Sequence, residues 1–294
     1  MHQNELKTEE IEFCLLSFTD KKKALYLAIQ NKENPILVYG LVIQHQPNNV
    51  GLKPLIFEPK FGTLYIEGLD TTGYFTPRSS QSLFTRNITV QILKNSSSKF
   101  IEIFARPKKE IIFARSARNK LKGSLNSGKL INYWLKILSK LPNRTLHIFS
   151  NFCPTKSIPY NSDTKISDIL LFDDDPKNKM IDSIDATIDL RKFYNLLLYR
   201  TDCSRGALIY SIFDGDGSSD YMNENDSDVD AKITQLRSLD FSNLENATIS
   251  TQKFLLSSKY TLSWKKILLS KNNSDNSENK DAIKLIPRKN RPKN

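Results

Sequence analysis

The pattern that most restricts the fold is an irregular alternation of short strand-like and helix-like segments between residues 24 and 213. Residues 24–46 (ALYLAIQNKENPILVYGLVIQHQ) read as two β-rich runs around an Asn-Lys-Glu-Asn-Pro turn. A further strand over 63–69 (TLYIEGL) stops at Asp70-Thr71-Thr72-Gly73, residues suited to a tight turn. Residues 79–94 carry Leu83, Ile88, Ile92 and Leu93 near helical spacing, behind serines able to cap the first turn. Residues 99–105 (KFIEIFA) return to strand, and Asn126-Ser127-Gly128 opens a helix over 129–141. Leu130, Trp134, Ile137, Leu138 and Leu141 share one face of that helix, and Pro142 ends it because proline lacks the amide the next turn needs. A helix over 190–200, a strand over 207–213 and a long amphipathic helix over 243–269 complete the series. The class expected is α/β: a mixed or largely antiparallel central sheet flanked by helices, in a single domain over 1–270.

Two segments fall outside the expected core. Residues 214–231 (DGDGSSDYMNENDSDVDA) hold seven acidic and no basic residues. Counted from Asp214, the sixth position is Ser219 rather than Gly and the twelfth is Asn225 rather than Glu, so a calcium loop is disfavoured and a solvated, disordered acidic loop is expected. Residues 271–294 read as a disordered basic tail ending in PRKNRPKN, usable for nuclear import or for acidic contacts.

Lys and Arg total 43 against 32 Asp and Glu, a formal charge of +11. The excess suits nucleic acid, acidic chaperones or phosphate-rich cofactors. A general richness in Lys, Asn and Ile accounts for it equally. The aromatic residues sit in apolar runs rather than interleaved with basic ones, which argues against a nucleic-acid-binding module. Charges occupy the N-terminal stretch where a secretory signal needs apolar residues, and no apolar run approaches a membrane span. Cys14, Cys153 and Cys203 lie far apart and suit a reducing compartment. His2, His45 and His147 show no ligand spacing, so neither a metal site nor a histidine-centred dyad is expected. Chemistry is left to carboxylates, backbone, a cofactor or lysine.

The stretch Leu171-Phe172-Asp173-Asp174-Asp175-Pro176-Lys177 gathers three carboxylates before a proline and a lysine. Proline fits the first turn of a helix and acidic residues before it satisfy free amides, so the motif reads equally as an N-cap.

The same motif resembles the LFPDDPK-type signature of the fungal regulator-of-Ty-transposition histone H3 lysine acetyltransferases, distant structural relatives of the CREB-binding-protein acetyltransferase. Four further segments are similar, in the family's order. EGLDTTGYFTPR (67–78) resembles its A-D-T-x-G-Y…R turn, and residues 104–134 keep F-x-R-P, a central Asn and a closing aromatic pair. FYNLLLYRTDCSRGAL (193–208) resembles its helix and F-R-x-E-C-S-x-G-x-L segment, and AIKLIPRKNRPKN resembles its basic end. These fall mostly within residues 60–213, a stretch of about half the chain.

The resemblance implies a histone-acetyltransferase-like domain that uses acetyl-CoA as co-substrate. It implies histone H3, as H3–H4, for substrate and histone chaperones for partners. It places the activity in the nucleus, in chromatin assembly, transcription regulation and DNA-damage tolerance, with neither membrane nor metal involved. It assigns Arg78, Ser79, Ser80, Gln81 and Ser82 to the cofactor pyrophosphate, where helix amides, hydroxyls and a guanidinium would converge. Leu69 would lie beside the acetyl-pantetheine, and Phe104, Lys108, Gly123, Ser124, Leu125 and Tyr133 would line the rest of the groove. Trp134 would wall the substrate-lysine channel, although a tryptophan on an apolar helix face also serves as core. Asp175 and Asp70 would be the acidic walls near the incoming lysine, orienting its amine or accepting its proton. Lys177 would be acetylated by the enzyme on itself.

The chain departs from the family at Ile111, where a Tyr is usual, and at Gly123, where a His is usual. Only Asn95-Ser96-Ser97-Ser98 stands where the family carries a long insertion. These departures support a second reading, a catalytically inactive chromatin- or chaperone-binding relative of the same fold.

Overall fold

The computed structural model describes residues 8–46, 63–96, 100–123, 125–141, 144–153, 156–161, 163–169, 171–172, 175–185, 187–200, 203–213, 228–258 and 262–270. Along the chain run β1 (Thr8–Thr19), β2 (Lys23–Gln30), β3 (Ile36–Gln46), β4 (Thr63–Thr71), α1 (Gln81–Lys94), β5 (Phe100–Ala105), α2 (Ser127–Leu138), β6 (Arg144–Ser150), α3 (Asn178–Ile181), α4 (Leu190–Tyr199), β7 (Ala207–Phe213), α5 (Val229–Ser238), α6 (Leu244–Ser258) and β8 (Trp264–Ser270). The strands form one eight-stranded sheet in the order β6-β7-β5-β4-β3-β2-β1-β8. Strands β1 to β4 are an antiparallel meander, started by a turn in which Asp20 Oδ1 accepts the amides of Lys22 and Lys23 at 2.8 and 2.7 Å. The parallel neighbours are β4 and β5, joined through α1. The sheet is therefore mixed, as the alternation in the sequence implies.

Both faces of the sheet are covered, which is why its strands read as almost continuous apolar runs. On one face α1 and α2 pack: Phe84 meets Phe13 edge-on at 5.3 Å, and the Tyr39 hydroxyl lies 2.8 Å from Thr89 Oγ1. On the other face, α6 covers one half through Phe254 against Phe18, and α4 covers the other through Tyr194 against Phe149. Helix α2 begins where the sequence places a cap, with Asn126 accepting the Lys129 amide at 3.0 Å. Asp189 and Asp228 cap α4 and α5 in the same way.

The long helix expected over 243–269 is corrected. It ends at Ser258, and residues 264–270 form β8 instead, paired antiparallel with β1 from Cys14↔Trp264 to Thr8↔Ser270. A short apolar run fits either period, and the open edge of β1 supplies backbone partners that local pattern does not reveal. The acidic segment is corrected at its end as well: where only loop was expected, Asp228 caps α5 and Val229 to Ala231 form its first turn. Residues 214–227 and the tail 271–294 lie outside the described residues. No described helix is long and apolar enough to cross a membrane.

Candidate active site

Strands β4 and β5 pair only from Thr63↔Phe100 to Ile66↔Ile103. Beyond that point they separate, and a cavity of about 370 Å³ occupies the split at their carboxyl ends. Such a crevice beyond the carboxyl ends of parallel strands is a common ligand position, because main-chain groups there have no ladder partner. Its volume falls within the ordinary range for ligand sites. Residues 66–71 and 103–109 form the floor, while α1 and α2 supply the upper wall.

Of the residues assigned from sequence, the structure brings eleven to this cavity: Leu69, Asp70, Arg78, Gln81, Ser82, Phe104, Lys108, Gly123, Leu125, Tyr133 and Trp134. Ser79 and Ser80 are not among its lining residues. Residues 78–80 form a short 3-10 turn that buries Ser80, whose hydroxyl donates to Glu9 of β1 rather than to a ligand position. Ser124 lies outside the described residues, as do Asp173 and Asp174.

The cavity wall is apolar around Leu69, Ile111, Leu130 and Trp134 and basic at Arg78, Arg106, Lys108 and Lys109. Arg78 Nη2 donates to the carbonyl of Leu121 at 3.0 Å, and the Arg106 guanidinium stands 5.5 Å over the Phe104 ring. Burial pushes Tyr133 up to about 12, so its hydroxyl stays protonated and donates to Thr85 Oγ1 at 3.0 Å.

Asp70 lines the cavity but is engaged on all sides. One carboxylate oxygen accepts the amides of Ile111, Ile112 and Phe113 at 2.8, 2.8 and 3.1 Å, and the other meets Lys122 Nζ at 2.5 Å. It thereby pins residues 111–113 and 122 onto the end of β4. The turn after Asp70 is closed by Gly73, at φ +86°, a conformation glycine adopts without strain. Asn119 staples the same turn through Thr72, its amide donating to that carbonyl at 2.7 Å.

Asp175 occupies a different place from the one the motif suggests. It is fully buried and absent from the cavity lining, with Oδ2 at 2.5 Å from Lys177 Nζ and Oδ1 accepting the Lys177 amide at 2.9 Å. The same ammonium, also fully buried, reaches Glu102 on the inner face of β5. Burial pulls the Lys177 pKa down, but the facing carboxylates of Asp175 and Glu102 more than reverse this and leave it raised. Glu102 is pushed up to about 7, by burial first, with Lys177 opposing and Asp175 adding. Tyr160, Tyr194 and Tyr210 belong to the aromatic cluster on this face. Sequence reasoning did not single out Glu102, Lys122 or Glu67, a second carboxylate of the cavity wall. Among the described residues no group of three His, Cys, Asp or Glu could hold a metal ion.

The described strands thus form a mixed eight-stranded sheet with helices on both faces, opened between its two parallel strands. Among solved structures the chain is similar to Rtt109 from Aspergillus fumigatus, over 88% of this chain and 94% of that one, with a TM-score of 0.57 and 13% sequence identity. At that identity the likeness is one of fold. No protein-family model and no curated protein sequence matches the chain.

Proposed function

We propose that this protein transfers the acetyl group of acetyl-CoA to a lysine of histone H3. The observation that carries the reading is the cavity itself. Residues from two separated segments that carry the resemblance in sequence, 67–78 and 104–134, line one crevice at the split of β4 and β5. The residues present fit acetyl-CoA: an apolar channel suits the acetyl-pantetheine arm, and Arg78, Arg106, Lys108 and Lys109 give the rim the charge a pyrophosphate needs. Leu69 and Phe104 would flank the arm, Arg78, Gln81 and Ser82 its phosphates, and Trp134 the channel by which the lysine arrives. Asp70 and Lys122 would act by holding the wall in place.

The substrate proposed is H3 in H3–H4, presented by a histone chaperone in the nucleus, with Lys177 as a site of self-acetylation. Incubation with labelled acetyl-CoA and an H3–H4–chaperone complex, followed by mass location of the label, tests it. Label on H3 lysines is the expected result, and H3 without label overturns the reading. The withdrawal of Asp175 from the cavity favours the alternative, an inactive chaperone-binding relative, unless another carboxylate meets the substrate amine.

A further inference from the structure

We propose that Glu67 is the carboxylate that receives the substrate amine, an inference that rests on the acetyltransferase reading above. Two acidic residues line the cavity, Glu67 and Asp70. Asp70 is saturated by four amides, those of Thr71, Ile111, Ile112 and Phe113, and by the Lys122 ammonium, so it has no capacity left for an incoming amine. Asp175 is sealed against Lys177 and Glu102.

The backbone register singles out Glu67 independently. Strand β3 pairs Ile43 with Ile66 and then Val42 with Gly68, so Glu67 is the extra residue of a β-bulge. On the other side, pairing with β5 has stopped at Ile66↔Ile103. Glu67 therefore has a ladder partner in neither neighbouring strand, at the very point where the cavity opens. Bulges of this kind re-aim a side chain beside a site. The side chain is 9% exposed and held from outside the cavity: Gln44 Nε2 donates to Oε2 at 3.1 Å, and Arg237 Nη2 of α5 lies 3.9 Å from Oε1. This leaves lone pairs on both oxygens for a further donor, in a place poor in water.

The step balances simply. The arriving lysine ammonium gives one proton to the Glu67 carboxylate and becomes a neutral amine. The amine nitrogen bonds to the acetyl carbonyl carbon, the carbon–sulfur bond breaks, and the second departing N–H proton goes to the CoA sulfur. Glu67 then loses its proton to solvent, so the net change is one acetyl-lysine, one CoA thiol and one proton released.

Glu67→Gln tests the inference, since it keeps the size and the acceptor that Gln44 uses. The expected result is a fall in kcat of about 10²-fold or more. The melting-temperature rise given by acetyl-CoA should be the same as in the unaltered protein, and Glu67→Asp should recover part of the rate. Should the Gln variant melt early, the Asp variant carries the test through its own loss of kcat at unchanged acetyl-CoA binding. An active unaltered protein whose Gln and Asp variants turn over within about threefold of it, well short of the range for acid–base groups, overturns this inference and leaves the acetyltransferase reading standing. An unaltered protein that neither gains stability from acetyl-CoA nor labels H3 overturns both.

Discussion

Lys122 and Asp70 form a buried ion pair, Nζ to Oδ1 2.5 Å, at the base of the cavity wall. The other oxygen of Asp70 gathers three successive amides, and Ser116 Oγ takes a second proton of Lys122 at 2.7 Å. Asp70→Ala therefore leaves a buried ammonium and four amides, that of Thr71 included, without their acceptor. Losing one partner of a buried pair costs about 3–5 kcal/mol, and denaturant melts should show a loss in that range. Because Ile111 and Lys122 also line the cavity, the stabilisation by acetyl-CoA should shrink as well. A loss below about 1 kcal/mol, the worth of one ordinary hydrogen bond, would refute the clamp.

Glu102 makes stability depend on pH in a particular direction. Burial lifts its pKa from the ordinary 4.5 to about 7, so the folded chain holds this proton more tightly than the unfolded one. The stabilisation this gives is complete below the unfolded value and lost as pH rises through the folded one. Glu102→Gln keeps the shape and leaves Lys177 paired with Asp175. The unaltered protein should lose melting temperature between about pH 4.5 and pH 7 by a component that the Gln variant lacks. Parallel curves for the two proteins would show that Glu102 does not titrate there.

Local signals in the sequence were sufficient for α1, α2, α4, β4, β5 and β7, whose apolar periods, with the Asn126 cap for α2, are written within each segment. They failed at β8, where the deciding partner, β1, lies at the opposite end of the chain. The site followed the same division. Motif order located the turn of Asp70, the helix of Trp134 and the segment of Lys108, since each lies at an end of β4 or β5 or on the helix above them. The place of Asp175 was not legible, because Lys177, which holds it, is itself anchored to Glu102 on a strand far earlier in the chain, and a turn shows no direction in sequence. Glu67 reads as an ordinary strand residue until the bulge opposite it is known.

Two glycines on the cavity wall should respond oppositely to a side chain. A Cβ added to Gly68 would stand 2.6 Å from Ile111 Cγ2, and the amide of Ile111 is itself fixed by Asp70. Neither atom is the free end of a flexible chain, so Gly68→Ala must push the 111–113 segment outward, at a cost of about 1–3 kcal/mol typical of overpacking. At Gly123 an added Cβ meets nothing within 4 Å. Gly123→His, which restores the imidazole usual in the resembling family, should keep stability within about 0.5 kcal/mol of the unaltered protein, as open surface positions do. Paired denaturant melts of the two variants measure this contrast. Equal losses would mean that the loop over 121–125 closes onto the cavity and that the space beside Gly123 is not available to a side chain. With the space available, the His variant also reports on the cofactor: an imidazole at the cavity edge should change the acetyl-CoA-induced melting shift, whereas the same substitution away from a binding site would leave it unaltered.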